Sequence, residues 1–450
     1  MFQRCLIANR GEVAVRIARG CRELGIEPVG VYSEADRGAA WLSAMAESVC
    51  LGPASAAQSY LHAERIVQAA LQTRCGALHP GWGFLAEDAR FAALCAQHGV
   101  VFVGPSPSVM ARMGVKTPAK RAMHEAGVPV VPGSLEPLPD LDAVRACAKE
   151  TGFPALLKAE RGGGGRGMRL VHSEDELEEA FLSASSEALS AFGSGAMYME
   201  RYLAGGRHVE VQVIADGHGR ALHLFERDCS VQRRHQKLIE EAPCPLLSES
   251  ERAELGTLAA NAALAIGYRG AGTIEFMRAA DGEMYFLEMN TRLQVEHPVT
   301  EMLCGLDIVD LQLRVAADGA LPLEQEDVRL DGHAIECRIN AEDPSQDFRP
   351  SPGHIGAFDF PDDRGPGRLR VDTHLAAGER VSPHYDSLVA KVIAHGADRE
   401  EAIQTLIACL SNARVEGIST TIPLHLAVLQ SDAFRSNEYD TSAIPGWPPA

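Results

Sequence analysis

The sequence has few lysines, and it has neither long apolar runs nor closely paired cysteines. No apolar run approaches the ~18 residues of a membrane-spanning helix, so we predict no membrane span. The 11 cysteines are scattered without Cys-x-x-Cys pairs, which indicates free thiols in a reducing compartment rather than disulfides or a metal site. The first predicted strand begins at Cys5 and leaves no room for a targeting segment, so we expect a cytoplasmic protein.

Positive charge is also in deficit, because 42 Lys+Arg face 61 Asp+Glu and the formal net charge is −19. Nucleic acids and anionic membranes are bound by dense cationic surfaces, so neither is an expected partner. An anionic substrate would need a local positive pocket. Because arginine supplies most of the cations, each retained lysine marks a candidate position for a compact ammonium group. The six lysines are Lys116, Lys120, Lys149, Lys158, Lys237 and Lys391.

The order of the predicted elements indicates a mixed α/β and α+β protein of about three domains at ~150 residues each. Residues 1–115 alternate strands with helices, which predicts a Rossmann-like, doubly wound parallel sheet. Their first turn lacks Gly-x-Gly-x-x-Gly, so a dinucleotide is not indicated. Residues 116–330 form the second predicted domain, and residues 331–450 form a C-terminal α+β domain. A proline-rich stretch at 127–139 is interpreted as a linker.

A glycine-rich segment at 162–168 lies between two short apolar runs of the second domain. Four consecutive glycines let backbone N–H groups approach phosphate oxygens and let the loop close as a lid. The segment lacks the Gly-Lys-Ser/Thr ending of a P-loop. With Lys158 just before it, the segment favours a mobile nucleotide lid over about 131–204. The alternative is a flexible hairpin turn.

A hairpin at 273–290 gives the strongest signal in the sequence. Asp281-Gly282 is a favoured two-residue turn, and it would place Ala280 opposite Glu283. On that register Glu275 lies opposite Glu288, with Cβ atoms ~5 Å apart, which is repulsive for like charges. The hairpin therefore predicts two converging carboxylates.

Asn290 projects from the same face as Glu288, because strand side chains alternate with a period of two. Two carboxylates and an amide oxygen form a hard-oxygen site suited to Mg²⁺. The alternative is a solvent-facing edge whose carboxylates splay apart. Immediately after the hairpin, Arg292, Gln294 and Glu296 would place a cation, an amide and a possible general base beside the metal-bound phosphate.

The stretch 226–237 is unusually basic for an acidic chain. Its functional interpretation is a phosphate or bicarbonate pocket containing Lys237, and the alternative is a solvated basic loop. Together these segments resemble the biotin carboxylase family, an ATP-grasp family, over essentially all of the chain. The combination of Arg227–Lys237 (RDCSVQRRHQK) with Glu288–Glu301 (EMNTRLQVEHPVTE) is the most specific part of the resemblance. The other matching segments are Ile7–Glu12, His79–Leu85, Gly162–Met168, Arg207–Glu210 and Glu336–Pro344.

The resemblance implies a role for each matching residue. ATP phosphates or ribose would be held, under the lid glycines Gly164 and Gly165, by Lys116, Lys158, His208 and His235. The adenine pocket would be lined by Glu200, Arg201 and Leu203. The residues that bind Mg²⁺, for which Mn²⁺ can substitute, would be Glu275, Glu288 and Asn290, the two glutamates also counting as ATP-binding. Bicarbonate would be held by Lys237, Arg292, Gln294 and Val295.

The same resemblance implies the chemistry. Glu296 would deprotonate bicarbonate for attack on the γ-phosphate of ATP, which gives carboxyphosphate. That intermediate would release CO₂, and Arg338 would bind biotin and stabilise the enolate that captures the CO₂. The implied catalytic residues are Lys237, Arg292, Glu296 and Arg338.

The resemblance also implies partners. The 450 residues contain no Ala-Met-Lys-Met biotinylation motif, so we expect biotin on a separate carrier protein and separate carboxyltransferase subunits. The expected complex is acetyl-CoA carboxylase of fatty acid biosynthesis, with propionyl-CoA or pyruvate carboxylase as alternatives, and the expected oligomer is a homodimer. Two further alternatives are another ATP-grasp carboxylate–amine ligase and a non-catalytic binding protein. The sequence departs from the family pattern at Glu160-Arg161, Trp82 and Arg201.

Overall fold

The computed structural model describes residues 1–160, 167–361 and 365–448. The first region contains a sheet of five parallel strands in the order β3-β2-β1-β4-β5. Its elements are β1 (Arg4–Ile7), α1 (Gly11–Glu23), β2 (Glu27–Ser33), β3 (Glu47–Gly52), α2 (Ala63–Gln72), β4 (Ala77–His79), α3 (Ala89–Gln97), β5 (Val101–Phe102) and α4 (Pro107–Met113).

The predicted parallel sheet and the alternation of strands with helices are confirmed. β3 was not predicted from the sequence. It is an edge strand in which only Leu51 is buried, and its apolar run, Val49–Leu51, is shorter than the ~4–8 residues by which a buried strand is recognised.

The second region comprises a small three-stranded sheet, β7-β6-β8, and most strands of a much larger one. Its elements are α5 (Lys116–Glu125), α6 (Leu141–Thr151), β6 (Ala155–Ala159), β7 (Met168–Val171), α7 (Leu177–Phe192), β8 (Met197–Arg201), β9 (Arg207–Ala215), β10 (Ala221–Arg233), β11 (Gln236–Ala242), α8 (Glu249–Ala265), β12 (Gly270–Arg278), β13 (Met284–Asn290), α9 (His297–Cys304) and α10 (Ile308–Ala316).

The third region is α+β, as predicted, and it completes the large sheet. Its elements are β14 (His333–Asn340), β15 (Glu342–Asp343), β16 (Arg349–Pro350), β17 (Gly353–His354), β18 (Phe358–Asp359), β19 (Arg368–Thr373), β20 (Arg380–Val381), β21 (Leu388–Gly396), α11 (Arg399–Asn412), β22 (Arg414–Val415), α12 (Ile422–Gln430) and α13 (Asp432–Arg435).

The large sheet has eight antiparallel strands in the order β13-β12-β9-β10-β11-β14-β21-β19. Its strands come from both sides of residue 331, so the second and third regions share one continuous sheet. α8 packs against β9 and β10 and buries Leu255 and Ala259. The sheet carries the predicted residues of the hairpin, of the basic stretch and of β14, and it is therefore the platform of the site.

The proline-rich stretch 127–139 connects α5 to α6, as expected of a linker, and it is held by backbone hydrogen bonds to two sheets. The N–H of Phe286 on β13 donates to the carbonyl of Pro129 at 2.8 Å, and the N–H of Arg201 on β8 donates to Pro132 at 2.8 Å. Proline has no N–H but retains its carbonyl acceptor, so such a segment can line sheet edges. It ties the three-stranded sheet β7-β6-β8 to the hairpin strand β13.

The basic stretch 226–237 does not form a loop, so the alternative of a solvated basic loop was wrong. Most of it lies in β10 and β11, and only a short turn around Arg234 and His235 is exposed. Arg227 and Asp228 are buried, because their charges are paired inside the sheet. Among the helices in the described part of the chain, none is long and apolar enough to cross a membrane.

Candidate active site

A row of charged side chains crosses four neighbouring strands of the large sheet. Arg227 on β10 pairs in register with Glu210 on β9, Glu210 with Glu275 on β12, and Glu275 with Glu288 on β13. The first three are buried, whereas Glu288 is exposed on the edge strand. Arg227 donates to Glu210 Oε1 at 2.7 Å. The row ends in two glutamates, Glu275 and Glu288, at the edge strand. This end therefore carries an excess of negative charge, which suits it to binding a cation.

The predicted pairing of Glu275 with Glu288 is confirmed, although the predicted turn is not. The N–H of Ala279 donates to the carbonyl of Glu283 at 2.8 Å, so the loop spans three residues, 280–282, instead of two. This shifts the adjacent ladder by one residue. A β-bulge directly after Glu275 shifts the ladder back and restores the predicted pair.

Glu275, Glu288 and Asn290 lie on neighbouring strands and offer the kind of oxygen donors that Mg²⁺ prefers. Asn290 Nδ2 donates to Glu275 Oε1 at 2.7 Å, and Arg292 donates to Asn290 Oδ1 at 2.9 Å. The two carboxylates belong to register partners on neighbouring strands, and the charges of Lys116 and His208 act on Glu288. A divalent cation between them would offset their repulsion. These residues would hold Mg²⁺, which supplies charge neutralisation for phosphate oxygens when bound.

Lys237 lies at the centre of the charged cluster. Its Nζ donates to Glu210 Oε2 at 2.5 Å, to Glu275 Oε1 at 3.0 Å and to Glu296 Oε1 at 2.6 Å. Burial by itself would lower the pKa of Lys237, but these three carboxylates outweigh burial and raise the pKa well above its usual value. The ammonium is therefore charged at neutral pH. The Lys237 side chain is 12% exposed to solvent.

Glu296 bridges two cations. One oxygen accepts from Lys237, and the other accepts from Arg338 at 2.9 Å. Burial raises the pKa of Glu296, yet the charges of Lys237 and Arg338 more than compensate, so its pKa lies below the usual value. The carboxylate is ionised at neutral pH, which is the state that a general base requires. Arg338 is held on its other side by Glu240 Oε1 at 2.6 Å.

The segment that joins the hairpin to α9 brings the remaining predicted bicarbonate residues to this cluster. Arg292 Nε donates to Glu87 Oε2 at 3.0 Å, and Gln294 Nε2 donates to Glu275 at 3.2 Å. Gln294 thus shares Glu275 with Lys237, and Arg292 also donates to Asn290. Val295 is buried, and its carbonyl accepts from Lys391.

Of the predicted ATP residues, the lysines lie towards the three-stranded sheet β7-β6-β8. Lys158 pairs with Glu200, whose other oxygen lies 3.7 Å from Lys120 Nζ. Desolvation lowers the pKa of Lys116, and the nearby charge of Glu288 opposes that effect. Lys116 and Lys158 are thus brought close to the hairpin face, while Glu200 serves as their counter-charge. Gly164 and Gly165 lie outside the described residues.

Four other predicted ATP-binding residues differ in whether they contact the rest of the site. His208 Nε2 lies 3.0 Å from Glu275 Oε2, and although burial lowers its pKa, the Glu275 charge raises the pKa above the usual value. Arg201 donates to Tyr285 Oη at 3.0 Å and so links β8 to β13. Within the described residues, no hydrogen bond or ion pair joins Leu203 or His235 to the other predicted site residues.

The departures from the family pattern are peripheral to this cluster. Glu160 accepts a hydrogen bond from Thr117, while Arg161 falls outside the described residues. Trp82 is half-buried, and its carbonyl accepts from Asn9 Nδ2 at 2.7 Å. The side chain lines a cavity of about 260 Å³ between the first and third regions.

Sequence reasoning missed Glu210, Arg227, Glu240 and Glu87 as parts of the site. A signal existed for Glu210, since His208, Glu210 and Gln212 alternate along one face of a strand that is buried throughout. Polar residues at that spacing in a buried strand need partners. No comparable local pattern marks Glu87 or Glu240, because their partners are 205 and 98 residues away in sequence.

Comparison with known families assigns every region of the chain. The description "Biotin carboxylase, N-terminal domain" matches residues 1–110, and "Biotin carboxylase C-terminal domain" matches residues 336–445. Between them, "Carbamoyl-phosphate synthase L chain, ATP binding domain" matches residues 116–324.

Individual proteins match over nearly the full length. The biotin carboxylase of Pseudomonas aeruginosa is 52% identical over 435 residues, which are 96% of each chain. One of the pyruvate carboxylase subunits of Methanothermobacter thermautotrophicus is 47% identical over 99% of this chain and 90% of its own. The biotin carboxylase domain dimer of Hydrogenobacter thermophilus 2-oxoglutarate carboxylase, solved with MgADP, ADP and bicarbonate, superposes with a TM-score of 0.93 at 45% identity and covers 98% and 96% of the two chains.

These matches agree with the site built from the residues upward. ATP, Mg²⁺, bicarbonate and biotin are the reactants and cofactors of the enzymes matched, and the ATP-grasp region makes the chain an ATP-dependent ligase. The chain belongs to the biotin carboxylase family.

Proposed function

We propose that this protein uses ATP and bicarbonate to carboxylate biotin that a separate carrier protein presents, as the first half-reaction of a multi-subunit carboxylase. The observation that carries the proposal is the position of Glu296, whose two oxygens contact Lys237 and Arg338. The Glu296 carboxylate thus lies between two cations, Lys237 at the proposed bicarbonate site and Arg338 at the proposed biotin site. That arrangement suits a base that acts where two substrates meet.

The first step takes place between Lys237 and the hairpin. Lys237, Arg292 and Gln294 hold bicarbonate, and Glu296 accepts its proton. A bicarbonate oxygen then attacks the γ-phosphorus of ATP, the bond to the β-phosphate oxygen breaks, and ADP and carboxyphosphate form. Lys116 and Lys158 neutralise phosphate charge, which is the main contribution that proteins make to phosphoryl transfer.

The second step takes place around Arg338. Carboxyphosphate separates into CO₂ and phosphate, the phosphate accepts the proton of the biotin ureido nitrogen, and that nitrogen bonds to the CO₂ carbon. Negative charge develops on the ureido oxygen before that bond forms. The Arg338 guanidinium stabilises this charge, and Glu240 on its opposite side fixes its orientation.

We further propose acetyl-CoA as the final acceptor, within an acetyl-CoA carboxylase that serves fatty acid synthesis, and a homodimer as the oligomer. The dimer is supported by the Hydrogenobacter domain, which was solved as a dimer. The acceptor is chosen by the partner transferase, since related chains belong to pyruvate and 2-oxoglutarate carboxylases. Co-purification of the transferase and carrier proteins, followed by assays with each acyl-CoA or keto acid, tests both partners and acceptor.

The activity is tested by measuring bicarbonate-dependent ADP release with and without free biotin. We expect biotin to stimulate the wild type. Arg338→Gln should lose biotin carboxylation by about 100-fold or more yet keep the slow biotin-independent ADP release, because Arg338 stabilises the charge on biotin in the second step and Lys237 still pairs with Glu296 in the first. The matched control is Arg414→Gln, which removes an exposed arginine paired with Glu416 and should behave as wild type.

Two outcomes would contradict the proposal. Absence of any biotin stimulation in the wild type would exclude biotin carboxylation as the activity. Equal loss of both rates in Arg338→Gln would exclude the separate role of Arg338 in the second step.

A further inference from the structure

Lys391, on β21, is one of the retained lysines that the proposed reaction does not use. Its side chain is fully buried, with 0% exposure. The Nζ lies 2.9 Å from Glu12 Oε1 and 3.8 Å from Asp372 Oδ2, and it donates to the main-chain carbonyl of Val295 at 3.0 Å. Burial by itself would lower the pKa of Lys391, but the surrounding carboxylates raise it above the usual value. The ammonium is therefore charged.

A sealed ion pair is a weak source of stability. Removing both charges from water costs several kcal/mol per ion, and apolar residues of similar volume often pack at least as well. A buried lysine that reached only its two carboxylates would need no further explanation than fold specificity. The third contact of Lys391 is different, because it reaches the segment that carries the predicted bicarbonate residues.

The contact between Lys391 and the Val295 carbonyl lies directly before Glu296, the proposed general base. The carbonyl of Val295 belongs to the peptide unit that continues into Glu296, and α9 begins immediately after Glu296. Rotation of that peptide would move the Glu296 carboxylate away from Lys237 and Arg338. Lys391 is also the register partner of Arg338 across β14 and β21. The Lys391 ammonium thus holds the peptide next to Glu296, the proposed base. Lys391 also lies on the strand that pairs with the strand of Arg338.

The anchor of Lys391 lies in another region of the chain. Glu12 belongs to the first turn of α1, in the first region, and is 5% exposed. Asp372 of β19 is the second anchor, and Arg370 donates to it at 2.6 Å. The position of the Val295 peptide is therefore set jointly by the first region and by the large sheet.

We infer that Lys391, anchored by Glu12, is a positioning residue that holds the Val295–Glu296 peptide in place for bicarbonate binding and deprotonation. The inference rests on the proposed function, because it concerns bicarbonate at that site. Lys391 touches no reacting atom. Its effect should appear in the bicarbonate KM and kcat, and it should leave nucleotide binding, which depends on other elements, nearly unchanged.

The test uses the double variant Lys391→Met with Glu12→Gln in the full-length protein. Methionine keeps most of the volume, and glutamine leaves no unpaired carboxylate at position 12, while Asp372 keeps Arg370. We expect the bicarbonate KM to rise about 10-fold or more, since small displacements of reacting groups cost large factors in rate. The Kd for ATP, measured by titration without turnover, should change by less than about 2-fold.

The matched control is Arg16→Met with Asp307→Asn. Arg16 lies 2.6 Å from Glu301 and 2.7 Å from Asp307, so this variant also removes a buried ion pair between the first region and the chain after the hairpin. It makes no contact with residues 292–296. It should lower the melting temperature by an amount similar to the test variant and leave the bicarbonate KM unchanged.

A milder variant, Glu12→Gln, keeps the Lys391 contact with Val295 and should raise the bicarbonate KM by about 3-fold. It also provides the measurement if the double variant does not fold. An unchanged bicarbonate KM in whichever of these variants folds would overturn the inference, and so would an equal rise in the control variant or in the ATP Kd. Absence of bicarbonate-dependent ADP release in the wild type would instead refute the proposed function.

Discussion

Two buried lysines, Lys237 and Lys391, are surrounded by carboxylates in different ways. The Lys237 cluster comprises Lys237 and the three glutamates that it contacts, Glu210, Glu275 and Glu296. The Lys237 side chain is 12% exposed. The Lys391 cluster comprises that residue, Glu12, Asp372 and the Val295 carbonyl, and its lysine is closed to solvent. Both lysines have a raised pKa.

The difference between the clusters lies in which contacts can change. Around Lys237, negative charge exceeds positive charge and water can enter, so an incoming anion or metal ion can replace a carboxylate contact. The Lys391 cluster has no such opening, and its contacts hold the chain in one arrangement. Similar ion-pair chemistry therefore serves reaction in one cluster and positioning in the other.

The largest expected effect comes from removing the residue that the two clusters share through the Val295–Glu296 peptide. Glu296→Gln keeps the side-chain shape but cannot accept a proton from bicarbonate. We expect bicarbonate-dependent ADP release and biotin carboxylation to fall together by about 10²–10⁴-fold, the usual contribution of a general base. The comparison is with Glu416→Gln, which changes an exposed glutamate of the Arg414 pair. Normal ADP release by Glu296→Gln would remove Glu296 as the base.

A second prediction compares the stability of the clusters. Lys391→Met leaves Glu12 without its cation in a closed interior, which should cost about 3–5 kcal/mol in the free energy of unfolding. Lys237→Met should cost less, because water and Mg²⁺ can reach the glutamates it leaves behind. Urea unfolding with and without Mg²⁺ measures both, and Mg²⁺ should restore stability in Lys237→Met alone. Equal losses in both variants would mean that solvent access does not distinguish the clusters.

The third and smallest effect concerns the pair of glutamates between the clusters. Glu240 and Glu336 are opposite each other on β11 and β14, and both are fully buried. Burial raises the pKa of Glu240 to about 7, although Arg338 opposes the shift. Burial likewise places the pKa of Glu336 well above its usual value.

The sign of the pH dependence follows from these shifts. Between pH 4.5, the ordinary pKa of a glutamate, and about 7, the folded protein binds more protons at Glu240 than the unfolded chain does, so stability falls as the pH rises through that window. Glu240→Gln cannot ionise and should lose this part of the dependence. Melting temperatures from pH 5 to 8 for wild type and variant provide the measurement. Parallel curves for the two proteins would show that Glu240 does not take part.

The hairpin shows both the reach and the limit of prediction from sequence. The predicted pairing of Glu275 with Glu288 is confirmed, although it was derived from a two-residue turn that the structure does not contain. The loop was nevertheless one residue longer than predicted, and the bulge after Glu275 corrected the register. Bulges depend on packing against the neighbouring strand, which a two-strand argument does not include. The basic stretch was located correctly, but burial of Arg227 inside the sheet was not foreseen.

Local sequence patterns were sufficient for the parallel first region and for the spacing of Arg292, Gln294 and Glu296 directly after the hairpin. These features depend on residues close together in the chain, whose relative positions follow from strand and turn geometry. The three-dimensional structure was needed to show that Glu210, Arg227 and Glu240 complete the site and that Lys391 reaches Val295. Those contacts join residues far apart in sequence, and the order of strands in the large sheet brings them together. That order follows from packing of whole elements, which no local pattern records.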